Sequence, residues 1–188
     1  MDALVALTTR HSAAPAFLGD PGPDEEALAR ILEAGACAPD HGRLRPWRFI
    51  VVRGDARRRL GEVFAEALRR RDPNATGQAI EQELNRPLRV PLVIVVVAKL
   101  VPDHAKIPEI EQIVSAGAAA QNILIAAHAQ GFGAKLLTGV NAYDGHVTST
   151  LGLEPDDRLI GFVHIGTLAR EAPAVPHADA RELTLEWR

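Results

Sequence analysis

Apolar positions along the chain change their spacing several times, and each change predicts an element. In "DALVALTTR", residues 2–10, Leu4 and Leu7 share one side and Asp2 is placed to accept backbone N–H groups, which predicts a short opening helix. The turn-rich "GDPGPD" at 19–24 follows, then "DEEALARILEAGACA" at 24–38, with acids in its first turn and Leu28, Ile31 and Leu32 on one face. Gly35 and Pro39 are expected to stop that helix. Leu60, Val63, Phe64, Ala67 and Leu68 recur at helical spacing, so the arginine triplets 57–59 and 69–71 fall near the ends and solvent side of an amphipathic helix.

The segments "RFIVVRG" at 48–54 and "PLVIVVVAK" at 91–99 are β-branched and aliphatic without alternation, which predicts strands covered on both faces. Residues 109–130, "EIEQIVSAGAAAQNILIAAHAQ", are apolar almost all round, the pattern of a central helix buried by its neighbours or by a second subunit. A short strand in "AKLLTG" (134–139), a helix in "NAYDGHVTSTLG" (141–152), a last strand "RLIGFVHIGT" (158–167) and a Pro-rich tail (173–188) complete the pattern, with no internal repeat.

Composition narrows the class. At 188 residues and 47% apolar content the chain can bury a substantial core, and its net charge of −3 gives no sequence-wide reason to expect nucleic acid. The single Cys37 cannot form an internal disulfide, which fits a reducing cytoplasm and would also fit a cysteine-poor secreted protein. The longest apolar run, 92–98, is too short to span a bilayer, and Met1–Leu7 carries no signal-peptide pattern. The expectation is a soluble, cytoplasmic protein with neither membrane nor nucleic-acid partners.

Candidate chemistry concentrates in three places. "RHS" at 10–12 joins a guanidinium, an imidazole and a hydroxyl at a helix end, which suits phosphate oxygens, although an arginine there also complements a helix dipole. "APDHGRLRPWRF" at 38–49 crowds Asp40, His41, Arg43, Arg45 and Trp47 into one loop, either as a solvated surface or as a wrap around a flat anionic ligand. "GFGAKLLTG" at 131–139 has glycines after a helix and before a strand, the reverse of a dinucleotide-binding fingerprint, so Gly131 reads as a left-handed helix stop. The histidines follow no metal-ligand spacing, no nucleophile elbow is present, and no metal is expected.

Taken in order, "RHS" (10–12), "APDHGRLRPWRFIVV" (38–52), "VPLVIVVVAK" (90–99), "SAGAAAQNILIAAHAQGFGAKLLTG" (115–139) and "LGLEPDDRLIGFVHIGT" (151–167) resemble the FMN-dependent nitroreductase family, most closely its compact YdjA-like branch. The resemblance implies one α+β domain over 1–188, a mainly antiparallel sheet flanked by helices, and an interlocked homodimer with FMN at the interface. It implies a flavin oxidoreductase that takes a hydride from NAD(P)H and reduces nitroaromatics, quinones or related acceptors by a ping-pong mechanism. FMN contacts then fall on Arg10, His11 and Ser12, on Cys37 and His41 of the second copy, and on Leu136, Leu137, Thr138 and Gly139; NAD(P)H contacts fall on Ala126, Ala127, His128, Ala129, Gln130 and Gly131. No side chain is nominated as a general acid or nucleophile, because flavin carries the chemistry.

Cys37 and Leu137 stand where YdjA-like relatives commonly have Arg, and Lys135, Arg43 or Arg45 are expected to substitute for the missing charge. The same fold supports dehalogenation, dehydrogenation and flavin fragmentation, and a flavin-binding module with little turnover is the reading from a different class.

Overall fold

The computed structural model describes residues 1–169 and 178–188, and its centre is the strand expected at the carboxyl end of the pattern. In chain order the elements are α1 (Ala3–Thr9), β1 (Leu18–Gly19), α2 (Glu25–Ala36), β2 (Trp47–Arg53), α3 (Ala56–Arg71), α4 (Gly77–Asn85), β3 (Leu92–Ala98), α5 (Glu109–Ala129), β4 (Phe132–Leu137), α6 (Gly145–Thr150) and β5 (Arg158–Leu168). Every strand pairing among the described residues is antiparallel. β5 pairs β3 along one edge and β4 along the other, so that Val163 lies opposite both Ile94 and Leu136; β1 joins the end of β5, and β2 closes the far side of β3. Of the Pro-rich tail, residues 173–177 lie outside the described residues.

Strand alternation divides the core into two layers. Val93, Val95, Val97 and Phe162 pack with Leu60, Phe64 and Ala67 of α3, where Phe64 meets Phe162 edge-to-face at 5.2 Å. Leu92, Ile94, Val96, Val163 and Ile165 pack on the opposite face with Leu28 and Ile31 of α2 and Ala120, Ile123 and Leu124 of α5. β3 is buried throughout, as its unbroken apolar run requires.

β2 departs from the expectation. It pairs only with β3 and forms an edge, so Trp47 through Val51 are half-buried rather than covered on both faces. Gly35 also departs: α2 runs through it to Ala36, and the missing side chain gives room to the core, since a Cβ there would lie 2.8 Å from Ile123 Cγ1 and 3.0 Å from Phe49 Cζ. In α1 the N-cap is as read, with Asp2 Oδ1 accepting from Leu4 and Val5 N–H, but Ala6 is the buried residue; Leu4, Val5 and Leu7 face outward.

The sequence pattern contains no expectation of α4. Its apolar content is small, and it is held by close approach to α3: a Cβ on Gly61 would sit 2.1 Å from the Leu84 carbonyl oxygen. Thr76 caps it by accepting the Ala79 N–H at 3.2 Å. α5, among the described residues the one helix long and apolar enough to cross a bilayer, lies against the sheet and α2. Its outer side still exposes Ile110 and Val114 at 64% and 63%.

His164 places an imidazole inside the sheet. It is 3% exposed, its Nδ1 has no hydrogen-bond partner, and burial together with the positive Arg86, Arg89 and Lys135 pushes its pKa down to about 4. The unfolded chain therefore binds a proton that the native chain refuses, and stability is lost as pH falls from about 6.5 toward about 4, by up to ~3 kcal/mol. His164→Phe should flatten that part of the stability–pH curve measured by urea unfolding. An unchanged acid slope in a folded variant would contradict the neutral, buried imidazole.

Candidate active site

The "RHS" segment is positioned by two neighbours, α5 and β4. Arg10 ends α1 in an extended conformation with its N–H donating to Ala6 O at 3.2 Å. Three residues on, the Ala13 N–H donates to Ala134 O of β4 at 3.1 Å, which lays residues 10–13 beside that strand. Thr9 Oγ1 donates to Val5 O at 2.7 Å and lies 2.8 Å from His128 Nε2. A hydroxyl has one proton, so the proton on His128 belongs at Nε2, donating to Thr9. Burial first, then the nearby His11 and Arg10, lower the His128 pKa and favour that neutral ring.

Arg10 is not satisfied within the chain. Its Nε is buried without a hydrogen-bond partner, one of three such side-chain atoms among the described residues, with Arg48 Nε and His164 Nδ1. A guanidinium held at a helix end with an unmet donor fits an anionic group such as a phosphate. His11 Nδ1 rests 3.3 Å from Thr9 O, and Ser12 is exposed.

The end of α5 and the start of β4 follow the reading of the glycines. Gly131, at φ 87°, stops α5 with its N–H on His128 O at 2.9 Å, and β4 begins at once. Ala134 and Leu136 turn into the α2–α5 layer, whereas Lys135 and Leu137 alternate to the other face. Leu136 and Leu137 thus present opposite sides, and only Leu137 joins Thr138 and Gly139 in lining a cavity of about 120 Å³. Its other walls are Phe64, Phe162, Arg86, Asn141 and His164.

Of the segment expected at NAD(P)H, Ala129 and Gly131 are exposed and Ala126, His128 and Gln130 half-buried. Ala127 is fully buried in the α2–α5 layer. Gln130 Nε2 donates to Ala126 O at 3.2 Å, closing the helix end.

The cationic loop lies elsewhere. His41 Nδ1 is 2.7 Å from Glu111 Oε2 near the start of α5, and Asp40 Oδ2 accepts the Arg45 N–H at 2.7 Å. Gly42, Arg43 and Arg45 adopt φ of 68°, 57° and 51°, and Arg43 and Arg45 are exposed without an ion pair among the described residues. Non-glycine residues rarely hold such backbone, at about 1 kcal/mol or more each. An apolar cleft of about 430 Å³ runs past this loop between Pro39, His41, Ile110, Val114 and Ala118. Cys37 is exposed at the end of α2, and Trp47 packs toward Ala98, Leu100 and Ala116 as a core residue.

Within one chain these parts form two groups, not one. Arg10, His11, Ser12, His128 and β4 gather at the carboxyl end of α5, while His41 sits with Glu111 near its amino end, about 25 Å away along the axis at ~1.5 Å per residue. Sequence reasoning missed Arg86, Asn141 and His164. Arg86 follows the unforeseen α4; the signal for His164 was a lone imidazole inside an otherwise apolar strand.

Comparisons with known proteins give the family and the fold. The model of the Nitroreductase family matches residues 7–167. YdjA of Escherichia coli (strain K12), named for an NAD(P)H nitroreductase activity, is 39% identical over 167 residues, covering 89% of this chain and 88% of that protein. The crystal structure of a nitroreductase-like family protein from Bacillus cereus superposes with a TM-score of 0.84 at 20% identity, over 99% of this chain and 96% of that one. A nitroreductase from Desulfovibrio desulfuricans, crystallised in complex with FMN, gives a TM-score of 0.74 at 26% identity over 100% and 98%. The family is one of FMN-dependent flavin oxidoreductases, and a match over this much of the sequence, on this α+β fold, places the chain in the Nitroreductase family.

Proposed function

We propose that the protein is an NAD(P)H-dependent reductase that holds FMN between two copies of the chain. The observation that carries this reading is the buried, unpartnered Arg10 Nε on a segment hydrogen-bonded to β4 through Ala13 and Ala134. In this reading Arg10, with Ser12 and His11, binds the phosphate of the cofactor, and Leu137, Thr138 and Gly139 line its ring system. His41 reaches the same site from the second copy, because α5 separates it too far within one chain, and Cys37, exposed at the end of α2, comes with it. The exposed Leu4, Val5, Leu7, Ile110 and Val114 supply apolar surface for that association.

The chemistry FMN supplies is two-electron transfer from a reduced nicotinamide to a small acceptor of the nitroaromatic or quinone class. The chain's own work is positional. Thr9 and His128 fix the end of α1 against α5, and the exposed Ala129 and Gly131 beside half-buried Ala126, His128 and Gln130 give NAD(P)H its approach. Apolar walls exclude water and let donor and acceptor use one bed in turn, which is the basis of a ping-pong order. A cytoplasmic location belongs to the same reading.

Anaerobic mixing of the FMN-loaded protein with NADH or NADPH tests it. Bleaching of the flavin absorbance, restored by a nitro compound or quinone, is expected; full flavin occupancy without bleaching by either nicotinamide would leave a binding module and overturn the reductase. Arg10→Ala should weaken FMN binding by about 10- to 100-fold, the scale of a lost charge-assisted contact, while leaving riboflavin binding nearly unchanged. Equal losses for FMN and riboflavin in fluorescence titrations would show that Arg10 does not read the phosphate.

A further inference from the structure

The cavity at the end of β4 holds more polar chemistry than the flavin reading uses. Its floor is a chain of side chains running back into the protein. Arg71 pairs with Asp144 and donates to Asn141 Oδ1 at 3.0 Å; Asn141 Nδ2 donates to Glu83 Oε2 at 2.8 Å; Glu83 Oε1 accepts from Arg86 Nη2. Asn141 and Glu83 are 1% and 8% exposed, so this chain is fixed by the packing of α3 and α4 against residues 140–144. Its last member, Arg86, reaches the cavity lined by Leu137, Thr138 and Gly139.

Arg86 spends one N–H group on Glu83, and no other hydrogen bond of its guanidinium is found among the described residues. A guanidinium carries five such donors in a rigid fork, so most remain for a ligand. The field there is positive: Arg86, Arg89 and Lys135 all act on His164, and Lys135 lies directly across the strand pair from it. Phe64, Phe162 and Leu137 supply apolar walls. An anionic edge of a planar ring system meets both demands of such a space.

We propose that Arg86 is the cation facing the bound flavin at the Leu137–Gly139 end of the site. The inference rests on the FMN reading above and adds a residue to it. Glu83 and Asn141 are positioning residues that aim its guanidinium. Of the substitutes expected from sequence, Lys135 shares this face of β4 and adds to the same field, whereas Arg43 and Arg45 lie on the His41 loop and would approach only from the second copy.

The test is a cycle between positions 86 and 137, read by FMN titration of apoprotein at low and high salt and by the reduction potential of the bound flavin. Arg86→Ala should weaken FMN binding about tenfold, reduce its salt sensitivity and lower the potential, because reduced flavin loses a neighbouring cation. Arg86→Lys should retain most of the affinity. Arg86→Ala combined with Leu137→Arg should recover binding and potential, an outcome that a merely structural role for Arg86 does not produce. A folded Arg86→Ala protein with parental affinity and potential overturns the assignment while leaving the FMN reading intact. A double variant that folds but recovers neither overturns the claim that Arg86 and position 137 face the same flavin edge, and a parent chain that binds no FMN overturns both readings.

Discussion

The double pairing of β5 is the constraint from which the rest of the arrangement follows. Because β3 takes one edge and β4 the other, residues 161–166 are buried on every side, and the sheet must be covered by helices on both faces. α3 takes one face and α2 with α5 the other. β4 is left as the outer strand of that edge, and there the chain after α1 docks, through a backbone hydrogen bond from Ala13 to Ala134. The candidate site is thus built where the sheet runs out of its own strands.

α5 sets the second condition. Its length holds the His41 loop and the Arg10 segment at opposite ends, and its alanine-rich body fits between the sheet and α2 while Ile110 and Val114 stay outside. A site that uses both loops has to draw one of them from another copy. The left-handed Arg43 and Arg45 fit the same view, since a loop ordered against a partner can hold backbone that is costly in isolation.

Much of this was legible from spacing alone. The unbroken run from Leu92 to Ala98 could only be a covered strand, and Gly131 with its helix before and strand behind could only be a stop. Edge position was not legible for β2, because Phe49, Ile50 and Val51 read like interior residues and pairing partners are a long-range property. α4 was not read because its apolar side is only Ala79, Ile80 and Leu84, and its close approach to α3 at Gly61 is a contact that spacing does not show. The resemblance named the candidate motif residues, but it carries no information on burial, which separates Ala127 from its neighbours, and Arg86 and His164 enter only through contacts between elements distant in sequence.

The central claim is that one flavin site is made from two chains, and mixing inactive partners tests it most directly. Arg10→Ala and His41→Ala proteins, each assayed at an FMN concentration too low to fill its own weakened sites, are combined, allowed to exchange subunits and titrated again. A shared site predicts recovery of parental affinity in about a quarter of the sites, because a mixed dimer places both changes in one site and neither in the other. Recovery of none, with subunit exchange demonstrated by differently labelled chains, would contradict the account and put each site within a single chain.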